Sequence, residues 1–295
     1  IKEQQLNNDG IEEKNESIIF AESNNKKIIK IDENKIKDFN QSVVGILDPE
    51  VNNFNLEMWS KTNGEEIKKV LMSIDKLKLS ELSENLLFQI LFTNSYSPKN
   101  NLDTVEFLKI KIDWLISKKR IEDLEVLLKN NPLAGENSKA VKFLIDEYLA
   151  SANINSACEK IKFIDQKIKN DYLNKFTIYC LIYSNKQNEA QLIFDLLLES
   201  GFEDKFFEDK INFLLNISDK TTNKVLDDNL LNFYLSYITS EKFDYKPNDK
   251  TDRYIWKYIS AINLIKINDL QDETEIQAYE EAATQNSFDK DEIFK

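Results

Sequence analysis

The side chains that could do chemistry in this 295-residue chain are limited first by what is missing. The sequence contains no histidine, so it lacks the usual general base near neutral pH and the commonest metal ligand. A Ser-His-Asp or Cys-His mechanism is therefore impossible within this chain. Paired carboxylates could still cleave a glycoside. The sequence has no Gly-rich phosphate loop, dinucleotide fingerprint or calcium-binding loop, so we expect no cofactor, no metal and no enzymatic activity.

The chain has two cysteines, Cys158 and Cys180. They could be ordinary small core residues, or they could form one disulfide, worth about 3 kcal/mol by loop entropy. Because both fall in helices that are predicted to face each other, the disulfide is the favoured alternative. A disulfide would indicate an exported or periplasmic protein, whereas free thiols would suit a cytoplasmic one. Two thiolates without histidine do not complete a tetrahedral zinc site.

The elements that carry these residues follow an apolar pattern that repeats every 33 residues without gaps. The matching columns include Ile112, Ile145 and Ile178; Ile116, Leu149 and Ile182; and Leu128, Ile161 and Phe194. Periods of this length are typical of stacked helical hairpins, in which each unit buries its apolar face against its neighbours. With only 5 Gly and 4 Pro, the chain lacks the tight turns of sandwiches and barrels. The sequence therefore predicts an all-α, right-handed α-solenoid of antiparallel helical hairpins.

Composition divides the chain near residue 50. Residues 1–50 are rich in Asn, Lys, Glu and Ser, with short apolar islands at 18–20 and 28–29. Such a segment cannot bury enough apolar surface to offset its conformational entropy, so we expect a flexible, acidic, mostly disordered tail, although the islands could dock as short strands. Residues 51–295 form the predicted solenoid domain, with regular repeats over about 103–200 and degenerate hairpins on either side.

Charge and hydropathy narrow the classes of partner. The net charge of −13 disfavours nucleic acid and anionic membranes, because binding to a phosphate backbone requires a cationic surface. No apolar run approaches the roughly 20 residues that span a bilayer, so we expect no direct membrane insertion. A protein or peptide remains the expected partner.

The hairpin block over about 103–200 resembles tetratricopeptide repeats, whose unit is a helical hairpin of 34 residues. Ala157 and Ala190 occupy the position where that family places a small residue between the two helices, and Leu124 departs from the pattern. The bulky position of the second helix is occupied by Leu128, Ile161 and Phe194. The Trp, Gly and Pro of the family consensus are missing, so the match is a degenerate one.

A broader resemblance covers the chain from about residue 47 to the C-terminus. It is carried by Leu47-Asp48-Pro49, the Leu56-x-Met58-Trp59 element, the two cysteines and the segment from Tyr254 to Glu281. Together these resemble an uncharacterised helical-repeat family of alphaproteobacteria. The resemblance implies a fold and a source, and no biochemical activity.

The tetratricopeptide resemblance also implies where a peptide would bind. Domains of that family that hold a C-terminal carboxylate use a Lys on the first helix and an Asn one turn later. Here the Lys column contains Lys109, Lys142 and Lys175, and the position one turn later contains Asp113, Asp146 and Tyr179. Because an Asp repels a carboxylate, the Lys column is either part of a less specific peptide groove with Tyr179 or a solvated helix face.

Two functions are compatible with these patterns. The favoured one is a non-catalytic scaffold or adaptor that binds another protein or peptide through the groove of its first helices. The alternative is a helical accessory module of a cell-envelope, peptidoglycan-acting enzyme whose catalytic part lies outside this chain. Glu199-Ser200 resembles the catalytic Glu-Ser of lytic transglycosylases, but the downstream Gly-Leu-Met-Gln element of that family is absent.

Overall fold

Helices with well-formed caps dominate the computed structural model of the protein. It describes residues 43–98, 100–131, 134, 137–164, 169–248 and 250–264, together with 276, 277, 280 and 283. The expected disorder of residues 1–42 lies outside the described residues. The helix expected over 273–285 is described only at residues 276, 277, 280 and 283, all of which are helical.

The fold is all-α, as predicted, apart from one short strand pair. The helices are α1 (Gly64–Ile74), α2 (Glu81–Phe92), α3 (Thr104–Ser117), α4 (Ile121–Asn130), α5 (Ser138–Ala150), α6 (Ile154–Glu159), α7 (Asp171–Tyr183), α8 (Gln187–Glu199), α9 (Lys205–Leu214), α10 (Leu230–Ile238) and α11 (Arg253–Ala261). A 3₁₀ turn, Lys160–Phe163, extends α6. The strands β1 (Val43–Val44) and β2 (Ser95–Tyr96) pair antiparallel.

Helix starts recur at intervals of 33 or 34 residues. The side chains of Asp103, Asn137, Asn170 and Asp204 each accept a hydrogen bond from the backbone N–H three residues later, at 2.8–3.2 Å. These caps satisfy donors that a helix start otherwise leaves free. The predicted caps at Asp103, Ser80 and Asp204 are confirmed.

Helix ends recur at the same interval. Lys119, Ala152 and Asn185 follow α3, α5 and α7 and all have positive φ, between 52° and 59°. In each case the next residue donates its N–H to the carbonyl five positions earlier, at 2.9–3.0 Å. This is the Schellman arrangement, which ends a helix sharply and usually uses glycine at the positive-φ position. The chain instead makes three equivalent tight turns with side chains that lack glycine's freedom.

The core consists of two large apolar clusters that both include α5. Ala140, Phe143 and Leu144 belong to the cluster built mainly with α2, α3 and α4. Val141, Ile145 and Leu149 belong to the cluster built with α7 to α11. Helix α5 therefore has apolar neighbours on most of its surface, as expected for a helix inside a stack.

Residues 43–50 differ from the expected disordered tail. Val44 is 2% exposed, and β1 pairs with β2. The Nζ of the buried Lys111 donates to the Val44 carbonyl at 2.7 Å. Gly45 permits the close approach, because a Cβ at this position would lie 2.7 Å from the backbone of Asn94. The ordered part therefore begins before residue 50, since two valines supply the apolar surface that the preceding polar residues lack.

The C-terminal helices leave the 33-residue register and pack back on the centre of the chain. Both α10 and α11 contact α5, although more than 90 residues separate them from it in sequence. Leu231, Phe233, Ile255, Trp256 and Ile259 are all buried in the second cluster. This return of the chain places two helices on the surface that the first helices of the hairpins share.

Candidate functional site

Four positions of the 33-residue register define one shared surface on the first helices of the hairpins, which we call the inner stripe. On α3 the stripe consists of Ile110, Asp113, Trp114 and Ser117; on α5 of Phe143, Asp146, Glu147 and Ala150; and on α7 of Phe176, Tyr179, Cys180 and Tyr183. Positions spaced by three and four residues lie on one face of a helix. The stripe is the surface on which the sequence predicts a partner to bind.

On α5 the inner stripe is covered by α11. The Nζ of Lys257 donates to Glu147 Oε2 at 2.8 Å, and the Arg253 guanidinium lies 4.0 Å from the other carboxylate oxygen. Asp146 beside it accepts from Lys142 and from the Tyr172 hydroxyl. Burial raises the pKa of Asp146 above its usual value, and the ammonium of Lys142 opposes that shift. The acidic side chains of this segment are therefore satisfied from within the chain.

On α7 the inner stripe is covered by α10, which corrects the expectation of an open groove there. Tyr179 is 4% exposed and shares a 2.7 Å hydroxyl–hydroxyl hydrogen bond with Tyr234. Lys175 is 7% exposed, and its Nζ donates to Asp204 at 3.0 Å and to Asn232 at 3.5 Å. Two of the expected groove residues thus have internal partners and do not face a space that a peptide could enter.

The other two expected groove lysines are not brought together with these. Lys142 pairs with Asp146 on its own helix, and its ammonium lies 4.2 Å from the Tyr172 ring centroid. Lys109 is exposed on α3. The Lys column thus divides into one exposed, one ion-paired and one buried residue, so the four side chains do not form a common clamp.

On α3 the inner stripe remains open and lines a cleft, which we call the α1–α3 cleft. Its volume is about 590 Å³, within the range of ligand and peptide pockets. The lining residues are Lys68, Leu71, Met72, Ile74 and Asp75 of α1 and its end; Leu77, Leu79 and Leu87; and Ile110, Asp113, Trp114, Ser117 and Lys118 of α3 and its end. All four stripe positions of α3 are among them.

The walls of the α1–α3 cleft combine exposed apolar side chains with a buried polar group. Met72 is 64% exposed and Leu77 is 62% exposed, and together they form an apolar surface that has no cover among the described residues. Trp114 packs on Phe88 and Phe92. Its buried indole N–H finds no hydrogen-bond acceptor in the described part of the chain. Apolar exposure beside a tightly packed aromatic floor is typical of a protein-binding surface.

The charges at the cleft are unevenly satisfied. Desolvation lowers the pKa of Lys68, but Glu106 and Glu65 outweigh it and hold this pKa above its usual value. Lys118 pairs with Glu84 at 2.7 Å. The lysines that line the cleft therefore already have acidic partners.

The cysteines predicted to pair are joined in the structure. Cys158 of α6 and Cys180 of α7 form a disulfide with a Cα–Cα distance of 5.4 Å. Cys180 is buried in the inner stripe of α7, while Cys158 is partly exposed. The bond connects the second helix of one hairpin to the first helix of the next.

Other chemistry-bearing residues do not gather into a site. Among the described residues there is no group of three or more His, Cys, Asp and Glu side chains that could hold a metal ion. Glu199 ends α8 in an exposed position, and the adjacent Ser200 hydroxyl donates to the Leu197 carbonyl at 2.6 Å. No helix in the described part of the chain is long and apolar enough to cross a membrane.

Comparisons with known proteins give no relative from which a function could be transferred. No protein-family model, no curated protein and no solved structure matches the chain. The interpretation of the α1–α3 cleft therefore rests on the sequence and on the geometry of this chain.

Proposed function

We propose that this protein is a non-catalytic scaffold or adaptor that binds a helical segment of another protein in the α1–α3 cleft. One observation carries the proposal: the inner stripe is covered by a helix on α5 and on α7, and it is open on α3. Where the stripe is covered, its occupant is a helix, α11 on α5 and α10 on α7. The free end of the same surface is therefore suited to a helix supplied by a partner.

The proposed architecture is a tetratricopeptide-like right-handed solenoid of antiparallel hairpins, filled in its middle by its own C-terminal helices. Three features support it: the recurring caps at 103, 137, 170 and 204, the positive-φ turns at 119, 152 and 185, and the packing of successive hairpins through α3, α5 and α7. In such a fold each hairpin presents one helix to the inner surface. Residues at the first hairpins remain free for a ligand.

We also propose that the protein is exported. The Cys158–Cys180 disulfide supports this location, because structural disulfides persist in oxidising compartments. An exported adaptor would meet partners of the cell envelope.

A photo-crosslinking experiment tests the adaptor function. A benzophenone amino acid is placed at Met72, which lines the cleft, or at Ile217, which is similarly exposed at 59% but does not line it. After irradiation in cells of the source organism, we expect a discrete crosslinked protein from position 72 and none from position 217. The proposal fails if position 72 yields no crosslink, or if both positions give the same products.

A further inference from the structure

Helix α11 shows what kind of helix the inner stripe accepts. It places two cations four residues apart, Arg253 and Lys257, beside the single carboxylate of Glu147. Between and after them, the apolar side chains of Ile255, Trp256 and Ile259 are buried against the core. Residues at i and i+4 lie one turn apart on one face. The occupant of the stripe on α5 is thus an amphipathic helix whose cations flank its apolar residues.

The unsatisfied charge of the α1–α3 cleft is negative. Lys68 and Lys118 have carboxylate partners. Asp75 lines the cleft and has no cationic partner among the described residues. Asp113, the stripe residue of α3 that corresponds to Asp146, pairs only with Lys139 in that part of the chain, and Lys139 is 64% exposed. A ligand that enters the cleft should therefore bring positive charge rather than negative charge.

We propose that the α1–α3 cleft binds an amphipathic partner helix that carries two Lys or Arg residues one turn apart beside an apolar face. Its cations pair with Asp75 and Asp113, and its apolar side chains contact Leu71, Met72 and Leu77. The proposal rests on the adaptor function and specifies the partner's chemistry. The net charge of −13 favours the same sign of ligand, because it speeds the encounter with a cation.

Binding of a defined peptide tests this proposal. The probe is a dye-labelled peptide with the sequence of residues 252–264, which contains α11, with its helicity verified by circular dichroism. Its comparison peptide carries Arg253→Glu and Lys257→Glu. Fluorescence anisotropy with the full chain should give saturable binding by the first peptide and an affinity lower by about tenfold or more for the second.

Protein variants show whether the peptide binds in the cleft. Asp75→Asn combined with Asp113→Asn should weaken the first peptide by about tenfold, since two ion pairs are lost. The matched control is Glu241→Gln, an exposed acidic residue that does not line the cleft, and its affinity should equal that of the wild type. Equal binding of both peptides, no saturable binding, or an affinity unaffected by the double variant would each overturn the proposal.

The crosslinks from position 72 separate the two proposals. A crosslinked partner segment that is helical and has Lys or Arg at i and i+4 supports the partner chemistry. An acidic or extended segment contradicts it but leaves the adaptor function intact. The absence of a crosslinked partner overturns both.

Discussion

Lys111 provides the sharpest test of how the N-terminal strand is attached to the helices. Its side chain is fully buried, its Nζ donates to the Val44 carbonyl at 2.7 Å, and it lies 4.4 Å from the Phe107 ring centroid. No carboxylate pairs with it among the described residues. Burial without a counter-ion lowers the pKa of Lys111 from its usual 10.5 to about 7, because the charged form loses its hydration.

The sign of the effect on stability follows from proton binding. Below pH 7 Lys111 is protonated in both states, so the folded state bears the full cost of burying the ammonium. Above pH 7 the folded state releases the proton and the unfolded state keeps it up to about pH 10.5, so stability rises with pH. Each pH unit in this window contributes about 1.4 kcal/mol, which gives about 2.7 kcal/mol between pH 6 and pH 9.

Lys111→Met removes this contribution and keeps most of the volume. We expect the free energy of unfolding of the wild type to rise by about 2.7 kcal/mol more than that of the variant between pH 6 and pH 9. Urea titrations at pH 6, 7, 8 and 9 measure the difference. Lys109→Met, an equal charge change at an exposed position of α3, should follow the wild type. If wild type and Lys111→Met have parallel pH profiles, the assignment of an uncompensated buried ammonium is wrong.

Three further changes test other parts of the fold, each by urea unfolding. Replacing Cys158 and Cys180, which are 22 positions apart, by Ala should cost about 3 kcal/mol; reductant should destabilise the wild type similarly and leave the variant unchanged. Ala152→Gly should stabilise the protein by about 1 kcal/mol, because φ is 55° at this exposed position; destabilisation would contradict the helix-end geometry. Glu147→Gln should cost about 1–2 kcal/mol, because it leaves two cations without their buried carboxylate; Glu189→Gln, in an exposed pair, should change stability by less than about 0.5 kcal/mol.

The helices from about residue 65 to 261 could be predicted from sequence because their signals are local. Ser80, Asp103 and Asp204 cap helices as predicted, and Gly201 has the expected positive φ of 89°. A cap requires only a side chain and a backbone N–H three residues away. The 33-residue spacing also extends to features that composition does not reveal, such as the positive φ at Lys119.

The cover over the inner stripe could not be predicted, because it depends on contacts between distant parts of the chain. The apolar pattern predicts α10 and α11 as helices, but nothing in their sequence names α5 as their neighbour. Lys175 therefore looked available in the sequence although Asp204 and Asn232 occupy it. The residues of α1 at the cleft were missed for a related reason. Exposed Met72 follows half-buried Leu71, and an apolar pair in a short helix usually indicates core.

The interruption of the register at the C-terminus explains why only one end of the inner surface is open. If α10 and α11 continued the register, the stripe would stay uncovered along α5 and α7, and Asp146 and Glu147 would need cations from outside. Arg253 and Lys257 of α11 pair with Glu147 instead, and the apolar side chains of α10 and α11 complete the second cluster. The same chain therefore uses its inner stripe in two ways. Its own helices close the middle by apolar burial and ion pairs, and α3 keeps the remaining positions beside α1, where Asp75 and Asp113 lack buried cationic partners.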